Sequence, residues 1–583
     1  MKPLSRFVLY LTIGSVGALY IDYAGVEIDV EADTQDFNAS EPEKLDDDEN
    51  LFVTSVYERN PKIDTVLTEY LELLSDGDER RLKEIEMPEG LLISNTGRAV
   101  VDIRGTEPNN EALRQAIEES GGTVTGCYRL SEGTCSAVVN LHDLPTMASH
   151  SVIASISSNV VESNAGLIDS EATRSMLVDE ARSLFGFDGT GTKVCVLSTT
   201  FDCAGVDITR NTNATQDILL GDLPPLDRMD IIRDIGPDDP PFASSACNDE
   251  GRAMMQLIHD VAPGADLGFD TALLGLSAFA DSIVEMVNRD CDIIVDDIIY
   301  FAETMYQDDL VAQAVDFATE SGVAYFSSAG NSARGSWEEK WVEGELGERE
   351  ERIKETFGIE FLSTLDFTDG QGEPRQYLRF TTVSTTTIVL QWEDPSTITP
   401  GLPGPITDLD MIIFRANSLS IVDASGNGFG LGKPFEICTV RPGSYDIVIG
   451  RYAGPVPRTV KLFFTRTVRR LNGYTWTISS ATSYGHANAA GAMSVAAAAY
   501  VNTPPFGVDP ARPESFTSAG GIPIIFDQNA ERLPVPHVRA NPAFTAPDRT
   551  CTNFFGTLDF LTLAILIALI LLVHPPLRPM LPQ

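Results

Sequence analysis

Eight cysteines, six histidines and a large excess of carboxylates are the groups in this 583-residue sequence that could do chemistry. The cysteines are Cys127, Cys135, Cys195, Cys203, Cys247, Cys291, Cys438 and Cys551. None has the C-x-x-C spacing of a zinc or dithiol redox site, so the residues imply neither a metal nor a cofactor. Cys127 and Cys135 flank a short turn and are expected to close a hairpin. Cys203 with Cys247 is the second expected pair, and for the others buried free thiols are equally compatible. His142, His150, His537 and His574 have no partner motif, and His259 and His486 each stand alone, which favours ordinary satisfied histidines. Glu250 stands at the start of a predicted helix, where the positive end of the helix dipole stabilises a carboxylate. Serine, a common acyl nucleophile, does not occur after Ser518.

The elements that must carry these groups are legible from apolar spacing. Over 97–162 the pattern is strand 99–103, helix 109–120, strands 123–128 and 135–141, helix 144–148 and strand 152–156. Leu113, Ala116 and Ile117 supply the helical period, and Gly121-Gly122 ends that helix. This β-α-β-β-α-β order is that of a ferredoxin-like module. Residues 187–335 alternate short β-rich apolar runs at 193–197, 265–269, 293–296 and 323–327 with helical segments such as 250–260, the signature of an α/β sheet. Residues 365–470 read differently. TTIVLQW, DLDMIIF, SYDIVIG and VKLFFTR are strands separated by Gly and Pro turns, and predict an inserted antiparallel β-sandwich forming a body of its own. GHANAAGAMSVAAAAYV then reads as a return to helix.

Both ends are distinctive. Lys2 and Arg6 precede an apolar run from Phe7 to Tyr20, so residues 1–22 are expected to be a signal peptide or signal anchor. Residues 23–96, which include EIDVEADTQDFNASEPEKLDDDEN, are an acidic and partly disordered stretch. Asn38 and Asn213 head glycosylation sequons. Residues 558–575 are an apolar helix. Its sixteen residues from Leu558 to Val573 reach about 24 Å, short of a bilayer core of about 30 Å unless Phe554 and Phe555 are included. A membrane anchor and a buried helix are both compatible with it. The formal net charge is −44, which repels nucleic-acid phosphates, and no basic patch offsets it, so nucleic acid is excluded as a partner.

The central stretch resembles the subtilase superfamily, in a branch with long inserts related to both subtilisins and sedolisins. The resemblance rests on GTGTKVCVLSTTFDCAGV, DEGRAMMQLIHDVAPGADLGF, CDIIVDDIIYF, GVAYFSSAGNSA, GHANAAGAMSV, FTSAGG and NPAFTAPD, in that order over roughly 186–557. It implies a subtilisin-like parallel sheet flanked by helices, built from 186–340 and 471–557 around the insert, with 97–162 as a propeptide-type module. It also implies an Asp, a His, a Ser and an oxyanion donor. The Asp position, within Val196-Leu197-Ser198-Thr199-Thr200-Phe201-Asp202, holds Thr199, a neutral hydroxyl; Asp202 is three residues on. The His position holds Glu250. Sedolisins use a Glu as base, supported by an Asp one turn later, but here position i+4 is Met254 and Asp249 points elsewhere. Ser328-Ala329-Gly330-Asn331 matches the oxyanion loop and makes Asn331 the donor. In Asn553-Phe554-Phe555-Gly556-Thr557-Leu558 the nucleophile position falls near Leu558. By the resemblance His259 and His486 are structural.

The expected function is that of a subtilisin-like serine endopeptidase family member whose catalytic set is impaired, secreted or membrane-anchored, with protein or peptide chains as its ligands. Two other readings remain open. One is an active endopeptidase whose true C-terminal sequence differs from this one; the other is an extracellular adhesion module working through the sandwich.

Overall fold

The computed structural model describes residues 60–76, 91, 93, 97–162, 171–203, 212–236, 247–345, 347–368, 375–465, 480–550 and 552. The chain divides into two units, Met1–Glu49 and Asn50–Gln583, and the described residues belong to the second. The expected signal segment 1–22, the quoted acidic stretch, the apolar run 558–575 and Leu558 itself lie outside the described residues. Among those described, no helix is long and apolar enough to cross a membrane.

The described chain opens with helix α1 (Thr65–Asp76). An antiparallel sheet follows, made of β1 (Arg98–Gly105), β2 (Thr123–Cys127), β3 (Thr134–Asn140) and β4 (Ile153–Ser158) in the order β2-β3-β1-β4. Helices α2 (Asn110–Glu119) and α3 (Leu144–Ser149) stand between its strands in sequence. Strand alternation decides what each face covers. Ala99, Val101 and Ile103 pack with Leu113, Ile117, Leu144 and Met147 of the two helices. Val100 and its cross-strand partner Val138 point the other way, into a core shared with Leu276 and Phe279. A two-residue strand, β5 (Val161–Glu162), follows.

The central sheet has seven strands, all parallel. They are β6 (Lys193–Ser198), β7 (Met229–Arg233), β8 (Asp266–Thr271), β9 (Ile293–Asp296), β11 (Ala324–Ser328), β12 (Ala492–Ala499) and β13 (Phe544–Asp548); β10 (Ile299–Tyr300) lies outside it and pairs with β5. Their spatial order is β13-β12-β11-β9-β6-β8-β7. Strands β6 and β9 are nearly continuous apolar runs because both faces are covered. Helix α4 (Glu250–Val261) packs on one face, with Met255, Leu257 and Ile258 against Val194, Val196 and Phe326. Helices α5 (Leu276–Asn288) and α6 (Leu310–Glu320) pack on the other, around Leu197, Ile294 and Tyr325.

The reading of 485–501 as helix is corrected. Gly485–Asn488 is a single 3-10 turn, and Ala492–Ala499 is strand β12, hydrogen-bonded between β11 and β13. Alanine favours helix in isolation. Here the paired edges of two neighbouring strands outweigh that preference.

Between β11 and β12 the chain forms two antiparallel sheets with a common core. Ser336–Lys340, Thr459–Phe464, Thr386–Trp392 and Phe435–Val440 make one sheet. Gly443–Ala453 and Asp408–Arg415 are central to the other. Trp337, Trp392, Leu409, Ile447 and Phe464 fill the space between them. No described strand of this insert joins the parallel sheet, but the insert does not stand clear of it. Val389, Ile437 and Phe463 pack with Phe301, Tyr306, Tyr484 and Ile525 of the α/β part.

Both expected cysteine pairs are bridged, Cys127–Cys135 and Cys203–Cys247. Cys195 and Cys291 are not free thiols: they form a third disulfide, spanning 96 residues and joining β6 to the turn before β9. A loop of that length gives the bridge an entropic stabilisation of about 4–5 kcal/mol. The Cys195→Ala/Cys291→Ala double variant is therefore expected to lose stability of that order in denaturant unfolding. An unchanged midpoint would contradict it.

Candidate functional site

The order of the parallel strands locates a crevice. From β6 the chain runs outward to β7 and back to β8, then crosses over to β9 and proceeds to β11, β12 and β13 on the other side. The direction of winding reverses between β6 and β9, and ligand sites of open α/β sheets form beyond the carboxyl ends of strands at such a switch point. Leu197 pairs with Asp296 in the ladder, so Ser198 and Thr199 leave β6 beside Asp297 leaving β9.

Thr199 and Glu250 meet there. The Thr199 hydroxyl donates to Asn248 Oδ1, and the Glu250 N–H donates to the same oxygen at 3.2 Å. The entry to α4 is tightly fixed. Asp249 takes the left-handed conformation, φ 52° and ψ 33°, which costs a non-glycine residue free energy and persists only where surroundings hold it. Its carboxylate accepts from Thr200 Oγ1 at 2.9 Å, the Cys203 N–H at 2.7 Å and Arg252 at 3.0 Å. The Cys203–Cys247 bridge closes the same loop. Gly251 is required by close approach: a Cβ there would lie 2.2 Å from the Phe269 ring.

Asn331 follows β11, which is two strands from β6; at the usual spacing the strand ends lie about 10 Å apart. Its loop is anchored by Ser518, whose Oγ accepts the Ser332 N–H at 3.0 Å and whose N–H donates to Gly330 O at 2.8 Å. Asp202 is engaged elsewhere. Its carboxylate accepts from Arg252 at 3.2 Å and from the Ala214 N–H at 3.1 Å. Asn213, the described sequon residue, caps the helix Ala214–Leu220 with a capping box.

Two groups the sequence reading did not assign dominate the electrostatics. The first is Asp297, 2% exposed beside the fully buried Glu250. Burial pushes the Asp297 carboxyl well above its usual range. The Glu250 and Asp296 charges push it the same way. The second is His486. Its Nε2 lies 3.0 Å from Asp296 Oδ1 and its Nδ1 2.8 Å from Glu303 Oε1, and Ser327 Oγ donates to Asp296 Oδ1 at 2.9 Å. The acidic doublet closing the apolar run CDIIVDDIIYF was the available signal for Asp296 and Asp297. Carboxylates at the end of an otherwise apolar strand must be paired or functional. Among the described residues, no group of three or more His, Cys, Asp or Glu is arranged to hold a metal ion.

A short strand of the chain lies against this crevice. β5 pairs antiparallel with β10, Val161 opposite Tyr300 and Glu162 opposite Ile299, and the Phe301 N–H reaches Val160 O at 3.4 Å. β10 begins two residues after Asp297. The geometry is that of a peptide added to an exposed backbone edge.

No family model matches the chain, and no curated protein matches it. Several solved structures are similar at low identity. The CspB protease of Clostridium perfringens is 10% identical with a TM-score of 0.34, covering 65% of this chain and 79% of that one. Fervidolysin from Fervidobacterium pennivorans, described as a keratinolytic enzyme related to subtilisin, is 11% identical with a TM-score of 0.25, covering 62% and 72%. The epidermin leader peptide processing serine protease EpiP of Staphylococcus aureus is 11% identical with a TM-score of 0.25, covering 40% and 61%.

The His486 triad sets a pH-dependent part of the stability. Burial alone would push the imidazole down, but the Glu303 and Asp296 carboxylates outweigh it and hold it up at about 10. A pKa raised above the unfolded value of about 6.5 gives stability that is complete below that value and lost as pH rises toward 10. His486→Ala leaves two buried carboxylates without their cation and is expected to cost about 3–5 kcal/mol at pH 6. The deficit relative to the native chain should shrink as pH approaches 10 in denaturant titrations. A deficit independent of pH would show the imidazole to be neutral.

Proposed function

We propose that the chain is a subtilisin-like serine endopeptidase homologue of the secretory pathway that seats protein or peptide chains beside β10 and has lost acyl-transfer chemistry. The observation that carries this reading is the pairing of Val161–Glu162 with Ile299–Tyr300, a backbone edge occupied next to the crevice where Thr199 and Glu250 meet. The subtilase motifs fall in accord with it, on the strands and loops around the switch point.

In this assignment Asn331 keeps the oxyanion-donor position, Glu250 occupies the base position and Thr199 the acid position, while Leu558 stands near the nucleophile position. A threonine hydroxyl cannot stabilise a charged base as a carboxylate would. Residues 97–162 act as a propeptide-type module whose tail fills the groove, and the sandwich is an insert in the peptidase scaffold. Three disulfides agree with an oxidising, secretory compartment.

The test has two arms. Fluorophosphonate probes require an activated serine, and the purified chain is expected to remain unlabelled and to leave casein uncut; labelling abolished by replacing one serine would overturn the loss of acyl transfer. For the groove, Glu162→Pro removes the β5 backbone donor that faces β10. A peptide of residues 153–164 is expected to bind this variant at least tenfold more tightly than it binds the native chain, whose own segment competes at high effective concentration. Equal binding to both would remove the groove.

A further inference from the structure

Away from the crevice, a cavity lies where three parts of the chain meet. It has a volume of about 60 Å³ and is lined by the module's sheet, by the first turns of α5 and α6, and by the insert around Lys433. Three helices begin at it, and a carboxylate already caps each. Asp64 accepts the Leu67 N–H of α1 at 2.9 Å, Asp102 accepts those of Leu276 and Ser277 of α5 at 3.1 and 3.2 Å, and Asp309 accepts that of Leu310 of α6 at 2.7 Å. Lys433 pairs with Asp309 at 3.0 Å and donates to Ala302 O. Arg104 is different. Among the described residues it makes no ion pair. It donates to Gly430 O at 3.1 Å, while its Nε is buried without a hydrogen-bond partner. Burial lowers its pKa. Thr134 stands directly across the ladder from Arg104, so the two side chains share a face. Thr134 is 5% exposed, and its Oγ1 also lacks a partner. A guanidinium withdrawn from water without a carboxylate is costly, and each unmet donor adds to that cost.

We propose that this cavity is a binding site for a free tetrahedral oxyanion, inorganic phosphate or sulfate, held by Arg104 and Thr134 between the module and the insert. The unmet groups are donors, so the ligand is an acceptor, and the fork of a guanidinium fits an oxyanion. The lining charges permit it. Arg104, Lys433 and three helix ends of about half a positive charge each offset the three carboxylates, and burial pushes Asp102 up toward its neutral form. Size selects the class. A water-sized group needs about 10–15 Å³ of such volume, so the cavity admits about four to six of them, the size of one tetrahedral oxyanion. No room is left for a carrier molecule, which excludes a phosphorylated chain or a nucleotide. Arg104 is on β1 and already donates to the insert. The bound ion therefore ties the module to the insert, independently of the peptide groove.

The experiment uses the full chain in phosphate-free buffer. Equilibrium dialysis against radiolabelled inorganic phosphate at pH 7 should show one saturable equivalent, displaced by sulfate and not by chloride at the same ionic strength. Arg104→Gln should weaken binding about tenfold or more and Thr134→Val by a smaller factor, since a charged hydrogen-bond donor contributes more than a neutral one. The thermal unfolding midpoint gives the second readout. It should rise with phosphate along the same saturation curve in the native chain and not in Arg104→Gln, which separates occupancy of the site from the general stabilisation by excluded salts. No saturable equivalent in the native chain means that waters alone meet these donors, and overturns the site. Saturable binding that both variants leave unchanged places the ion elsewhere and overturns it equally. Should Arg104→Gln not fold, the native chain and Thr134→Val decide.

Discussion

The constraint on which this structure turns is the cost of burying carboxylates in a chain that has 85 acidic and 41 basic side chains. Moving a carboxylate out of water is expensive unless a cation or several donors meet it. The core answers this differently at each place. Arg252 is fully buried and gathers Asp202, Asp217 and Asp249. Arg233 grips Asp270 through both of its oxygens. His486 joins Asp296 to Glu303. Each cluster ties elements distant in sequence, so the charges that threaten the fold also fix its register. At Asp297 burial and the neighbouring Glu250 charge both oppose ionisation, and the carboxyl is pushed well above its usual range.

The same logic governs how the N-terminal module meets the sheet. Asp102 on β1 is buried, and desolvation raises its pKa against hydrogen bonds from Ser136 and the backbone of α5. Its oxygens accept the Leu276 and Ser277 N–H groups at 3.1 and 3.2 Å, while Ser136 Oγ takes that of Ala278 at 3.0 Å. These are the unsatisfied donors of the first turn of α5, capped by another part of the chain. The insert meets the same region: Thr65 of α1 bonds to Asn427, and Arg104 of β1 donates to Gly430 O at 3.1 Å. A module held by both α5 and the insert keeps its tail, β5, against β10 at small entropic cost.

Much of the fold was legible because its strands obey local rules. The module's elements fall within a residue or two of where period and turn residues placed them, and the apolar runs from 193 to 328 are strands of the sheet. What was illegible depends on partners remote in sequence. AMSVAAAA is a strand only because β11 and β13 flank it. Cys195 and Cys291 have no local signature, since 96 residues separate them. At the site, Thr199 and Glu250 could be found by position in their motifs, whereas for Asp297 the acidic doublet signalled only a carboxylate needing a partner or a role, not which. Its role depends on which strand lies beside β6, which spacing along the chain does not encode. His486 looked like an isolated histidine for the same reason: both of its carboxylates come from a segment about 190 residues away.

Charge balance at the crevice explains why these replacements are compatible with one another. An aspartate orienting a neutral histidine carries one negative charge, distributed over two elements. In the proposed assignment Thr199 is neutral, and burial and the Glu250 charge push the Asp297 carboxyl toward its neutral form, so the buried site gains no second charge. Keeping an aspartate at 199 beside Glu250 and Asp297 would place three carboxyls around Ser198, with Arg252 already bonded to three others. Restoring a histidine at 250 alone would set an imidazole against Asp297 and fix it from that side, while Thr199 offered only a hydroxyl. Thr199, Glu250 and Asp297 are thus a mutually consistent set, since a further charge beside them would find Arg252 already engaged.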